Sequence, residues 1–66
     1  MIEKIELEIF LQKKVAIGVG HDIIQGRLFF YFGRLIHISQ DDVKLKTKNG
    51  FKIIPIGEIR DIHRTG

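Results

Sequence analysis

The chain has no cysteine and no tryptophan, and only one proline and one methionine among its 66 residues. Without cysteine there is no disulfide frame, no thiol nucleophile and none of the thiolate sets that hold structural zinc. One serine and two threonines leave few hydroxyl nucleophiles, and no carboxylate pair stands in a context that suggests acid–base work, so the chain reads as non-enzymatic. No apolar run approaches the ~20 residues of a membrane-spanning helix. The early Glu3, Glu6 and Glu8 lack the basic-then-apolar form of a secretory leader. A cytoplasmic protein is therefore expected. The length itself excludes two independently cored units, so residues 1–66 form one domain.

What is present suits a folded globule: 44% of the residues are hydrophobic and 29% charged, too apolar for a disordered segment. Thirteen isoleucines and a single asparagine resemble the bias of heat-adapted proteins. A domain this short buries only about 60% of its unfolded surface, so burial and chain entropy nearly cancel. Association with further copies of the chain would supply what a small core lacks. The net charge is +3; three glutamates against Lys4 give −2 over residues 1–12, so residues 13–66 carry +5. That basic body permits a nucleic acid or an acidic partner.

Strand signals dominate. Apolar residues take the odd positions from Ile5 to Val19, broken at Phe10 and Lys13, which is the period of a strand. A helix competes for the first of these residues, because Ile2, Ile5 and Ile9 share one side of a helical wheel. Lys13-Lys14 marks the break between elements. The clearest strand is Asp42 to Lys48, with Val43, Leu45 and Thr47 on one face and Lys44, Lys46 and Lys48 on the other. Asn49-Gly50 follows, a pair suited to a two-residue type I′ turn. That turn pairs Lys48 with Phe51, Leu45 with Ile54 and Val43 with Ile56. Between these elements runs IIQGRLFFYFGRLIHISQ, residues 23–40, too long for one flat strand, with Gly26 and Gly33 as points of bending. Leu28 to Phe32 would present apolar side chains on both faces, and the face turned from the core needs a helix, a sheet or another subunit. After Pro55, Ile59 and Ile62 fit a tight helical turn leading into a last short strand. Arg64 to Gly66 is expected to fray. Closure into a small barrel would remove exposed edges.

Gly33-Arg34-Leu35, Ile38, Asp41, Val43, Leu45, Gly50, Ile54-Pro55, Ile59 and Ile62 together resemble the strand pattern of Sm-like proteins, the Lsm and Hfq type of small β-barrel. Phe10 to Val15 looks like the end of that family's N-terminal helix running into its first strand. The resemblance covers most of residues 10 to 63. It implies an all-β, five-stranded Sm-like or SH3-like barrel with a short N-terminal helix, rings of subunits joined through strands, and RNA binding. The chain departs from the pattern at the RNA pocket. Asp42, Val43 and Lys44 stand where Asp-x-x-Met-Asn would continue, and Ile56-Gly57 replaces the Arg-Gly of the second motif. Of that motif only Gly57 carries over.

The candidate nucleic-acid contacts are therefore Lys44, Lys46, Lys48, Asn49, Phe51 and Lys52 on the hairpin, with Gly57 and Arg60 beyond it. Cations beside an aromatic are the pair of features that grip single strands, through phosphate contact and base stacking. The alternative is a solvated lysine face that guards a sheet edge. His37, Ser39 and Asp41 share a strand face, but alternate side chains stand ~6.5 Å apart at a rise of ~3.3 Å per residue, too far for a nucleophile and its base. His21, His37 and His63 have no metal-ligand spacing, and no metal or cofactor is expected. Gly18-Val19-Gly20-His21 opens like a phosphate loop, yet Ile23 occupies the place of the third glycine, so a turn or loosened strand end is the better reading. The expected partners are other copies of the chain, with RNA or a protein as further possibilities; neither a membrane nor a small-molecule cofactor is among them.

Overall fold

In the computed structural model, which describes residues 2–22 and 27–66, one short helix precedes five strands. They are α1 (Lys4–Glu8), β1 (Lys14–Asp22), β2 (Arg27–Ile38), β3 (Asp42–Thr47), β4 (Gly50–Pro55) and β5 (Ile59–Arg64), with a 3₁₀ turn at Ile56–Glu58. The fold is all-β apart from α1. The five strands form one antiparallel sheet in the order β4-β3-β2-β1-β5. Its radius of gyration, 11.0 Å, matches the ~11 Å expected of a compact unit of this length.

The core cluster draws on α1 and all five strands: Leu7 of α1, Val15, Ile17 and Val19 of β1, Leu35 of β2, Val43 and Leu45 of β3, Ile54 of β4 and Ile59 of β5. Along β1 and β3 these are alternate positions, so the period of two selects one face for the core, while Ala16, on the other face of β1, is also fully buried. The sheet curls about that face, and Val19, Tyr31, Ile54, Pro55 and Glu58 line one small hollow. The hydrogen-bonded ladder leaves β4 and β5 as its two edges, joined in the chain by the 3₁₀ turn.

Residues 4–8 are helical although their apolar spacing also suits a strand. The Glu6 carboxylate accepts the Glu3 backbone N–H at 3.4 Å, and an acidic first turn complements the helix dipole. Only Leu7 is buried; Ile5 and Ile9 are 70% and 72% exposed. The alternation of Ile5, Leu7 and Ile9 is thus not a core pattern. Chain direction reverses between α1 and β1 at Gln12, which has φ 66°. Its N–H donates to the Leu35 carbonyl at 2.6 Å, the Leu35 N–H donates to the Lys13 carbonyl at 3.1 Å, and the Arg34 guanidinium donates to the Gln12 carbonyl at 2.6 Å. A left-handed conformation costs an L-residue about 1–2 kcal/mol, and more where the side chain branches at Cβ. Gln12→Val is accordingly expected to lower stability by about 1–2 kcal/mol and Gln12→Gly to raise it by about 0.5 kcal/mol. Urea midpoints would check this, and equal midpoints for the two variants would refute the assignment.

The β3–β4 register differs from the sequence expectation by two residues along β4. Thr47 pairs with Gly50, Lys46 with Phe51, Leu45 with Lys52 and Val43 with Ile54. A type I′ turn at Asn49-Gly50 needs positive φ at both residues, whereas only Gly50 has it, at φ 117°. The turn is instead made by Lys48-Asn49 with glycine closing it. The Thr47 hydroxyl accepts the Asn49 N–H at 3.2 Å and donates to the Gly50 carbonyl at 2.9 Å. A shift of two residues keeps each side chain on its expected face but places Lys52, not Ile54, beside Leu45.

Further expectations concern the glycines and the tail. Gly26 lies outside the described residues; at Gly33, β2 passes so close to the Lys46 carbonyl that no Cβ could be accommodated, and the irregularity in its pairing with β3 falls further on, between Leu35 and His37. Gly18 and Gly20 are not in a turn but inside β1, where the pairing slips against β5 between Gly18 and Val19 and against β2 between Val19 and Asp22. The tail is tied down: Arg64 belongs to β5 and the Thr65 N–H donates to the Lys14 carbonyl at 3.0 Å.

Candidate nucleic-acid interface

The β3–β4 hairpin presents its lysines in two settings. Lys44 and Lys46 lie opposite Ile53 and Phe51 on the face turned from the core. The Lys44 ammonium stands 5.5 Å from the centre of the Phe51 ring. Lys52, on the core-facing side beside Leu45, reaches past the end of the core and sets its ammonium 4.9 Å from the centre of the Tyr31 ring. Both distances are within the reach of a cation–π attraction. Lys48 and Asn49 form the exposed turn.

β3 ends where β2 is still running: its last ladder partner on β2 is Arg34, paired with Lys46, while β2 begins seven residues earlier at Arg27. The early half of β2 is therefore paired to β1 alone, and the hairpin tip stands beside it. Between them lies a groove of about 580 Å³. Phe30, Tyr31 and Phe32 form its β2 wall; Thr47, Lys48, Asn49, Phe51 and Lys52 form the hairpin wall. No lining residue is acidic. Phe32 is 62% exposed and Phe51 64%. Phe30 is engaged elsewhere: its ring lies over Gly18, where a Cβ would meet it at 2.9 Å, and makes an edge contact with His63, centroids 6.1 Å apart.

Of the residues singled out from sequence, the fold gathers Lys48, Asn49, Phe51 and Lys52 at the groove, with Lys44 behind Phe51. Lys46 is exposed beside them. Gly57 and Arg60 do not line it; the Arg60 guanidinium donates to the Gly57 carbonyl at 2.7 Å, a local clasp over the 3₁₀ turn. Sequence reasoning missed the β2 wall. Its aromatics stood out as needing cover, but their place beside the lysines depends on how far β3 extends along β2. Comparisons of the chain with family models, curated proteins and solved structures find no match.

Of the remaining polar candidates, Ser39 and His63 have side-chain partners, and the His21 side chain lies outside the described residues. The Ser39 hydroxyl donates to the Asp42 carboxylate at 2.7 Å and accepts the Asp42 N–H at 3.2 Å, closing the turn between β2 and β3. His37 pairs with Lys44 in the β2–β3 ladder, and the Asp41 carbonyl accepts the Ile56 N–H. His63 Nδ1 lies 3.2 Å from the Asp61 carboxylate on the exposed side of β5. Among the described residues no three His, Asp or Glu side chains converge as metal ligands, and no helix is long and apolar enough to cross a membrane.

Proposed function

We propose that this chain is an Sm-like RNA- or single-stranded nucleic-acid-binding module that acts as a homo-oligomer and performs no catalysis. The observation that carries the reading is the hairpin, where Lys44, Lys46, Lys48 and Lys52 surround an exposed Phe51 beside further aromatics of β2. Lysine ammonium groups neutralise phosphates, and an exposed ring offers any base a stacking surface. The resemblance to Sm-like proteins supports the same class of ligand, although the Asp-x-x-Met-Asn and Arg-Gly residues of that family's pocket are missing here. The hairpin would supply contacts in their place.

Affinity for fluorescently labelled oligo(U) and oligo(dT) is expected to fall steeply with salt. Lys46→Glu combined with Lys48→Glu should weaken it at least tenfold and flatten the log–log salt slope by about 1.4, given ~0.7 per phosphate contact on a single strand. Anisotropy titrations at several salt concentrations make the measurement. Binding that ignores both salt and the double substitution would remove the reading.

A second reading is favoured by a separate observation. Among the described residues both edges of the sheet are unpaired, Phe51 and Ile53 are exposed on β4, and Ile5 of α1 and Ile9 just after it are exposed, where they line a hollow with Ile62 of β5. Such surfaces suit a structural module that assembles through its own copies or binds protein without nucleic acid. A mass measurement beside the titration separates the two. Stable oligomers without affinity for either oligonucleotide favour assembly alone, whereas a monomer without affinity excludes both.

A further inference from the structure

We infer that the groove between β2 and the hairpin tip is a stacking seat for unpaired bases, with Phe32 and Phe51 as its platforms and Lys48 and Lys52 on the flanking phosphates. The inference deepens the proposed function and rests on it. A volume of about 580 Å³ falls within the range of sites that enclose small organic groups. Of the four aromatics in its walls, Phe30 is held against Gly18 and His63, and Tyr31 carries the Lys52 ammonium on its ring. Phe32 and Phe51 are the two most exposed, and among the described residues neither makes a ring–ring contact. Lys44 stands over Phe51 from β3, so the ring sits in a positive field.

The chemistry of the walls selects the occupant. An apolar protein surface covering Phe32 and Phe51 would also have to desolvate Lys48 and Lys52 in a groove that offers them no carboxylate, which is costly for an unpaired charge. A single nucleic-acid strand brings flat apolar bases and regularly spaced anions together, so rings and ammonium groups are satisfied at once. Asn49 adds an amide at the rim. Its backbone is fixed by the Thr47 hydroxyl, which leaves the side chain to offer a donor and an acceptor to a base edge. These contacts do not distinguish RNA from DNA.

The test uses oligo(U), oligo(dT), an abasic oligonucleotide and inorganic polyphosphate as probes. Tyr31 is the only tyrosine and there is no tryptophan, so intrinsic emission reports from the groove wall itself. Bases entering the groove should quench it, while polyphosphate should not. Phe32→Ala and Phe32→Leu should each weaken oligo(U) and oligo(dT) binding about tenfold, the loss expected for one base stack. The salt slope and polyphosphate binding should stay unchanged, and Phe32→Tyr should restore affinity. The leucine variant keeps apolar bulk, so a loss there reports the missing ring and not a damaged fold. Wild-type affinity in both Phe32 variants, or equal affinity for abasic and base-bearing strands, would overturn the seat and leave the proposed function standing. A Phe32 variant that alters only the oligomeric mass would assign the groove to contact between copies and overturn the seat as well. Absence of all binding by the wild-type chain would overturn both.

Discussion

Gly33→Ala is expected to destabilise the fold by about 3 kcal/mol, the upper end of the usual cost of overpacking. The obstacle is backbone: an added methyl at Gly33 would collide with the Lys46 carbonyl and press on the Leu45 side chain. Flexible side chains can move aside from a new methyl, but a carbonyl fixed in a ladder cannot without parting the strands. Gly33 sits where β2 hands over from its pairing with β1 to its pairing with β3, since Val15 faces Gly33 and Lys46 faces Arg34. Stability at ~0.05–0.15 kcal/mol per residue gives a chain of this size only about 3–10 kcal/mol, so the substitution consumes much of it. Gly57→Ala is the matched control. No atom lies within 4 Å of a Cβ built there, and its urea midpoint should stay within about 0.5 kcal/mol of the parent. Comparable losses at both glycines would show that the close approach at Gly33 is not the cause.

Leu7→Ala should cost about 3 kcal/mol, within the 2–5 kcal/mol typical of such truncations in a core. A helix of five residues cannot persist on its own propensity in water, and Leu7 is the one side chain of α1 that is fully buried. Its loss should both open a cavity and release the helix. Amide exchange separates those effects: Leu7 and Phe10, whose N–H groups donate to the Glu3 and Leu7 carbonyls, should lose protection well before the β1–β2 ladder does. Ile5→Ala, at a residue 70% exposed, should change monomer stability by no more than about 0.5 kcal/mol. If Ile5 and Leu7 proved equally costly, the helix would be docked by a different face.

The parts of this architecture legible in the sequence are those set by local alternation. Val43, Leu45 and Thr47 against Lys44 and Lys46 marked β3 and its faces, and the long apolar run of residues 23–40 marked one long strand, which among the described residues is Arg27–Ile38. Ile5, Leu7 and Ile9 show where local alternation misleads, since the same residues satisfy a short helix that buries one of them. The hairpin register was misjudged because Asn49-Gly50 names a common turn, while the deciding group, the Thr47 hydroxyl, lies two residues before it. The lysines of the candidate site could be read directly. Their aromatic counterpart could not, because Phe32 meets the hairpin tip only through the place at which β3 stops along β2, a property of the assembled sheet.

The strand order also governs how the chain comes together. Three of the four ladders join neighbours in sequence, β1 with β2, β2 with β3 and β3 with β4. The fourth joins the two ends, pairing Ile17 with Ile62, 45 positions apart. Closure entropy rises with the length of chain enclosed, so the β1–β5 ladder carries the largest entropic cost in the molecule. The meander from β1 to β4 can form from short-range contacts before that ladder closes. It already includes both walls of the groove, whereas β5 arrives later and adds Ile59 and Ile62 to the core.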